Sequence, residues 1–284
     1  MATSTGSGAR AGAGDGTAGA GTAGAGFGAL TLGGPAQDTA IAAISTPRYA
    51  CATREPSGEP ETSHARVPCR AVPEPSRIIV NADALVWLAE NTAGAHASVV
   101  TSLPDVSELQ LALDAWRDWF VAAARQVIAW TPRAQATVFF QSDIRVGGAI
   151  VDKSYLVMRA AELEGAQLLW HKIVCRRPPG TISFGRPSWS HMLCFAHEGR
   201  PPARAPGADV MPDAGFMPWS RAMGVAACRT ACTYLRDEIG ARVIVDPFCG
   251  RGTVIAVANT LGLDGVGVEL SAKRCRAARA LAVP

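Results

Sequence analysis

One stretch limits the fold more than any other: Val243-Ile244-Val245-Asp246-Pro247-Phe248-Cys249-Gly250-Arg251-Gly252-Thr253. A β-branched run passes through a paired-glycine turn into an apolar helical segment. Gly250 and Gly252 allow a close backbone approach. Thr253 is placed to cap the helix, whose free N–H groups and positive dipole end suit an anionic group. Some twenty residues past the turn, Val266-Gly267-Val268-Glu269 ends the next strand on an acid. In an open α/β sheet that position reaches a ribose hydroxyl. A strand, turn, helix, strand and terminal acid in this order predict a nucleoside-cofactor site. The six-residue Gly-x-Gly-x-x-Gly spacing and the Gly-Lys-Ser/Thr phosphate loop are both absent.

The rest of the chain agrees with that unit. Strands are expected over 78–80, 96–101, 137–140, 168–175, 192–196, 243–245 and 265–268. Helices are expected over 84–90, 107–130, 154–164, 223–238, 253–261 and 272–281. In the longest, Leu109, Leu113, Trp116, Phe120, Ala123, Val127 and Trp130 recur every three or four residues, and Pro132 ends it. Alternating strands and helices, with one hairpin-like pair late in the middle, predict an α/β fold with a mostly parallel central sheet.

Residues 1–34 are nearly all Ala, Gly, Ser and Thr, and 35–75 carry scattered prolines without periodicity. Such a chain buries too little side chain to offset its backbone entropy. Residues 1–75 are therefore expected to be a disordered low-complexity tail, and 76–284 the folded domain. A low-complexity extension is favoured over a targeting peptide, because Arg is rare near Met1. The domain holds 22 Lys plus Arg against 18 acids, a net of +4. No apolar stretch reaches membrane-spanning length. The eight cysteines lie far apart, apart from Cys228 and Cys232, and read as buried free thiols of an intracellular protein. No metal-ligand spacing is present.

Asp246-Pro247-Phe248-Cys249-Gly250-Arg251-Gly252-Thr253, followed by Gly267-Val268-Glu269-Leu270-Ser271, resembles motifs I and II of S-adenosylmethionine-dependent methyltransferases. The likeness is strongest to those that methylate exocyclic amines of DNA or RNA bases, of the N4-cytosine and N6-adenine type. The resemblance implies a Rossmann-like fold with S-adenosyl-L-methionine as cofactor. Asp246 and the turn would hold its methionine part and Glu269 its ribose. Residues 78–88 are similar to the family's strand–acid–helix element, which puts Asp83 at the adenosine end. Ser102-Leu103-Pro104-Asp105 stands where the family carries its catalytic Asp/Asn/Ser-Pro-Pro-aromatic motif. With this segment before the cofactor motif, the order is the circularly permuted one.

The resemblance gives Ser102 and the Leu103 carbonyl the role of accepting the amine's two N–H bonds, leaving its lone pair directed at the methyl group. Leu103 replaces the family's first proline and Asp105 its stacking aromatic. Asp105 is then expected to take the departing proton or to bond a base edge, the alternative being an ordinary turn. Lys172, Arg176, Arg177 and Arg186 surround an acid-free Pro/Gly loop and are expected to contact phosphates. Asp152 is expected to cap a helix, and His171 and His191 to be satisfied packing residues. The expected partner is nucleic acid, with RNA favoured over DNA because under thirty residues between Phe195 and the helix at Met223 remain for sequence reading. The alternatives are a protein or small-molecule methyltransferase and a cofactor-binding module that has lost catalysis.

Overall fold

The computed structural model describes residues 74–198 and 207–284. The expected disordered tail, except its last two residues, lies outside the described residues, as do Cys51 and Cys69. The strands are β1 (Arg77–Val80), β2 (Ala97–Thr101), β3 (Ala136–Gln141), β4 (Ile144–Val146), β5 (Ala149–Val151), β6 (Gln167–Cys175), β7 (Trp189–Ala196), β8 (Val210–Met211), β9 (Val243–Asp246) and β10 (Asp264–Val268). The helices are α1 (Ala84–Glu90), α2 (Val106–Leu109), α3 (Leu113–Trp130), α4 (Lys153–Leu163), α5 (Val225–Tyr234), α6 (Thr253–Thr260) and α7 (Ala272–Ala280). A π-helical turn, Leu235–Ile239, extends α5 to Gly240 in the left-handed region.

Eight strands form one sheet in the order β1-β10-β9-β2-β3-β7-β6-β8. From β1 to β3 neighbours run parallel, and β7 is antiparallel to both β3 and β6. The mostly parallel sheet with a late antiparallel hairpin thus matches the sequence expectation. Strands β2, β3 and β9 are buried at every position, as continuous runs require when helices cover both faces. Successive side chains alternate between those faces. Val100, Val138 and Ile244 join α5 and α6 in one core, while Val99, Phe139 and Val245 join α3 and α4 in the other. No helix of the described residues is long and apolar enough to cross a membrane.

The placing of β9 beside β2 decides where a ligand can bind. These strands are parallel and paired Ala97 to Val243 and Val99 to Val245. From β9 the chain crosses through α6 to β10 on one side, and from β2 through α3 to β3 on the other. The two crossovers diverge and leave a crevice beyond the strands' carboxyl ends, the site where open α/β sheets bind ligands.

Three local features depart from expectation. The helix expected over 107–130 is two helices, because Gln110 adopts φ 55° and ends α2 before α3 starts at Leu113. The hairpin β4–β5 was not foreseen, although Gly147-Gly148, both with positive φ, is a standard two-residue hairpin turn. The third is Thr253, which does not cap α6. Gly252 is the residue before the helix, and the Thr253 hydroxyl instead accepts a bond from Trp219 Nε1 at 3.2 Å.

Candidate active site

Asp246 ends β9 as a buried carboxylate. Its Oδ1 accepts from the Thr101 hydroxyl at 2.7 Å and from the Phe248 N–H at 3.2 Å. Burial pushes its pKa up to about 7; the two hydrogen bonds oppose the rise, and the charge of Glu269 adds to it. Glu269, also buried, follows β10 directly. Its Oε1 accepts the Ser271 N–H at 2.8 Å, and Arg274 Nη1 lies 3.8 Å from the same atom. Asn81, past the end of β1, ties the edge together by donating to the carbonyls of Glu269 and Leu270 at 2.9 and 2.8 Å. Asp83, at the same edge, caps α1 by accepting from the Leu85 and Val86 N–H groups.

Two neighbouring buried carboxylates call for hydrogen-bond donors or positive charge. An aminoacyl ammonium, a sulfonium and a ribose diol supply those groups, so the donor set fits S-adenosyl-L-methionine. Pro247 and Cys249 are buried and shape the turn between the carboxylates. Phe248 packs edge-on against Trp119 with ring centroids 6.3 Å apart. Burial raises the Cys249 thiol well above its ordinary value, so it is no nucleophile.

The protein's own packing calls for both glycines of the turn. A Cβ on Gly250 would meet the Trp219 ring at 3.1 Å, and one on Gly252 would meet Ala278 Cβ at 2.8 Å. Their positive φ angles, 56° and 78°, and these close approaches demand glycine at both positions. Gly252→Ala is therefore expected to cost about 2–3 kcal/mol, strain and collision together. Gly262→Ala, at φ 77° with open space around its missing Cβ, should cost only about 1 kcal/mol. Urea denaturation of the two variants checks the difference.

On the next strand, Thr101 hands the chain to Ser102. Ser102 is exposed, Leu103 is buried in the α3-side core, and the Pro104 carbonyl accepts Trp116 Nε1 at 3.2 Å. Asp105 is not the free proton acceptor expected from the sequence. It is buried, with Oδ1 paired to Lys153 and Oδ2 to Arg186. Burial alone would raise its pKa, but the two cations overcome that and hold it below the ordinary value. A base so placed binds a proton more weakly than an isolated carboxylate.

The expected phosphate-binding residues separate into two groups. Lys172 is 0% exposed; its ammonium donates to the carbonyls of Gly207 and Ala208 at 3.0 and 2.9 Å. Strand alternation turns it inward, so it contacts no external phosphate. Arg176, Arg177 and Arg186 are exposed and line a cleft of about 450 Å³. Beside it a recess of about 90 Å³ contains Ser102 and shares Arg176, Arg186 and Met217 with the cleft. His171, His191 and Asp143 form a hydrogen-bonded chain with both links at 3.0 Å, and Asp152 caps α4. Asp143, Asp152 and His191 are close enough to share an ion, but these bonds already use them.

Thr101, Lys153 and Trp219 were missed by the sequence reading. None stands at a motif spacing: the pairing of β2 with β9 brings Thr101 to the site, while Lys153 comes from the start of α4 and Trp219 from the segment before α5.

No protein-family model matches the sequence, and no curated protein does. Solved structures do match. One is a Thermus thermophilus protein assigned as a DNA modification methylase, 18% identical, with a TM-score of 0.56 over 72% of this chain and 92% of that one. Its complex with S-adenosyl-L-methionine matches at 19% identity and TM-score 0.55, over 72% and 91%. The cytosine-N4-specific PvuII DNA methyltransferase matches at 15% identity and TM-score 0.57, over 72% and 88%. The fold is theirs. Within this Rossmann-like fold, Asp246, Glu269 and Ser102 occupy the carboxyl edge of the parallel strands.

Proposed function

We propose that this protein transfers the methyl group of S-adenosyl-L-methionine to an exocyclic amine of a DNA base. The observation that carries the reading is the 2.7 Å bond from Thr101 to Asp246. It ties the carboxylate assigned to the methyl donor to the residue immediately before Ser102, across the crevice where β2 and β9 abut. The cofactor, when bound, supplies an electrophilic methyl on a sulfonium. Asp246 neutralises its ammonium end, and Glu269 accepts from its ribose. Ser102 Oγ and the Leu103 carbonyl accept the two amine N–H bonds, so that orientation supplies most of the acceleration. Asp105, already paired with Lys153 and Arg186, fixes the segment; the amine proton leaves to water.

The sequence argument for RNA was that too little chain remained for reading DNA. That argument fails, because this chain covers 92% and 88% of two proteins assigned to DNA methylation. They have little additional chain of their own. DNA is accordingly the favoured acceptor.

The test is transfer of labelled methyl groups to DNA, RNA and protein. DNA should accept label. Ser102→Ala should lower turnover by about 10²-fold, as expected for losing a group that orients the amine, while cofactor affinity stays within twofold. Labelling of protein alone would replace this reading with the protein-methyltransferase alternative.

A further inference from the structure

Resting on that reading, we propose that the acceptor is duplex DNA, and that Phe184, on the loop joining β6 to β7, is the wedge that fills the gap left when the target base turns out. Ser102 sits in a recess of about 90 Å³ behind an arginine-lined cleft. A base stacked in a helix cannot reach it, so it must leave the stack, and the gap then needs a filler. Phe184 and Ile182 are 92% and 80% exposed, the two most exposed large apolar side chains among the described residues.

They are displayed on a braced loop. The Arg176 N–H donates to the Ser188 carbonyl at 2.7 Å, Thr181 Oγ1 to the Pro178 carbonyl at 2.6 Å, and Ser183 Oγ to the Arg186 carbonyl at 2.5 Å. Arg145 of β4 reaches the Gly185 carbonyl at 3.4 Å, and Arg186 is paired to Asp105 beside the Ser102 recess. The loop therefore fixes the position of Phe184 relative to Ser102 through a direct ion pair. Arg176, Arg177 and Arg186 flank it with positive charge, as a polyanion requires. A single-strand platform would need successive aromatics along a groove, whereas this loop presents one. A single aromatic, with Ile182 beside it, among cations suits a wedge.

Long amplified DNA, free of prior methylation, supplies the test in native and heat-denatured form, each incubated with the full chain and labelled S-adenosylmethionine. Phe184→Ala should lower incorporation into native DNA at least tenfold. It should change incorporation into denatured DNA, and cofactor affinity, less than twofold. Phe184→Trp should restore the native substrate. Equal loss on both DNA forms, no loss on either, or a parent protein that labels only denatured DNA overturns the wedge and leaves the proposed function standing. A parent protein that labels no nucleic acid removes that function and the wedge together.

Discussion

Asp246→Ala is expected to weaken S-adenosylmethionine binding by about 30- to 1000-fold, the effect of about 2–4 kcal/mol for deleting a buried charged partner. Because the carboxyl pKa stands at about 7, the unaltered protein should show a pH signature too. A cationic amino-acid end is held by the ionised form. Below pH about 7 that form becomes the minority, and affinity should fall toward tenfold per pH unit. Above about pH 8 the affinity should level off. Calorimetric titration across about pH 5.5–8.5 reads this directly. A flat profile would mean that Asp246 holds no positive charge.

The same residue sets function against stability. Its folded pKa lies above the ordinary value of 3.8, so between 3.8 and about 7 the folded state binds more protons than the unfolded one. This contribution to stability is fully present at low pH and is lost as pH rises through about 7. Asp246→Asn keeps an oxygen for the Thr101 and Phe248 donors without the charge. It should therefore be more stable than the parent above neutrality, by up to about 4 kcal/mol, with the difference vanishing near pH 4. Binding would be lost while the melting temperature rises, which a purely structural role for Asp246 does not produce.

The contrast between Asp246 and Asp105 shows what the sequence can carry. The signals at Asp246, the glycine turn and Glu269 are local, because strand, turn and helix follow within a dozen residues and the second acid is a short step on. The partners of these acids are not local. Thr101 lies 145 residues from Asp246, and Lys153 and Arg186 lie 48 and 81 residues from Asp105. Nothing in composition or spacing announces such pairs. Lys172 misleads for a related reason. It lies in the expected strand 168–175 but stands just before two arginines and the Pro/Gly loop, so it reads with that loop's cations; its place on β6 turns it inward instead. The mostly parallel sheet with its late hairpin was legible because strands and helices alternate along the chain; the β4–β5 hairpin was hidden by its three-residue strands.

Asp105→Ala should unfold the domain more easily than any exposed-site change. It strands Lys153, whose side chain is 3% exposed beside the Trp116 ring. An unpaired buried charge costs about 3–5 kcal/mol. At about 2–4 °C per kcal/mol for a domain of this size, the melting temperature should fall by about 6–20 °C. Lys153→Met should cost less, because Asp105 keeps Arg186, which is half-exposed. Combining Asp105→Leu with Lys153→Met replaces the buried pair by apolar groups of similar size. It should recover most of the loss, since a matched buried pair is worth little against such a replacement. Thermal denaturation of the three variants distinguishes an anchor from a base. If the double variant regains stability and still transfers methyl groups, Asp105 acts through position alone; recovered stability with no transfer would return it to the chemistry.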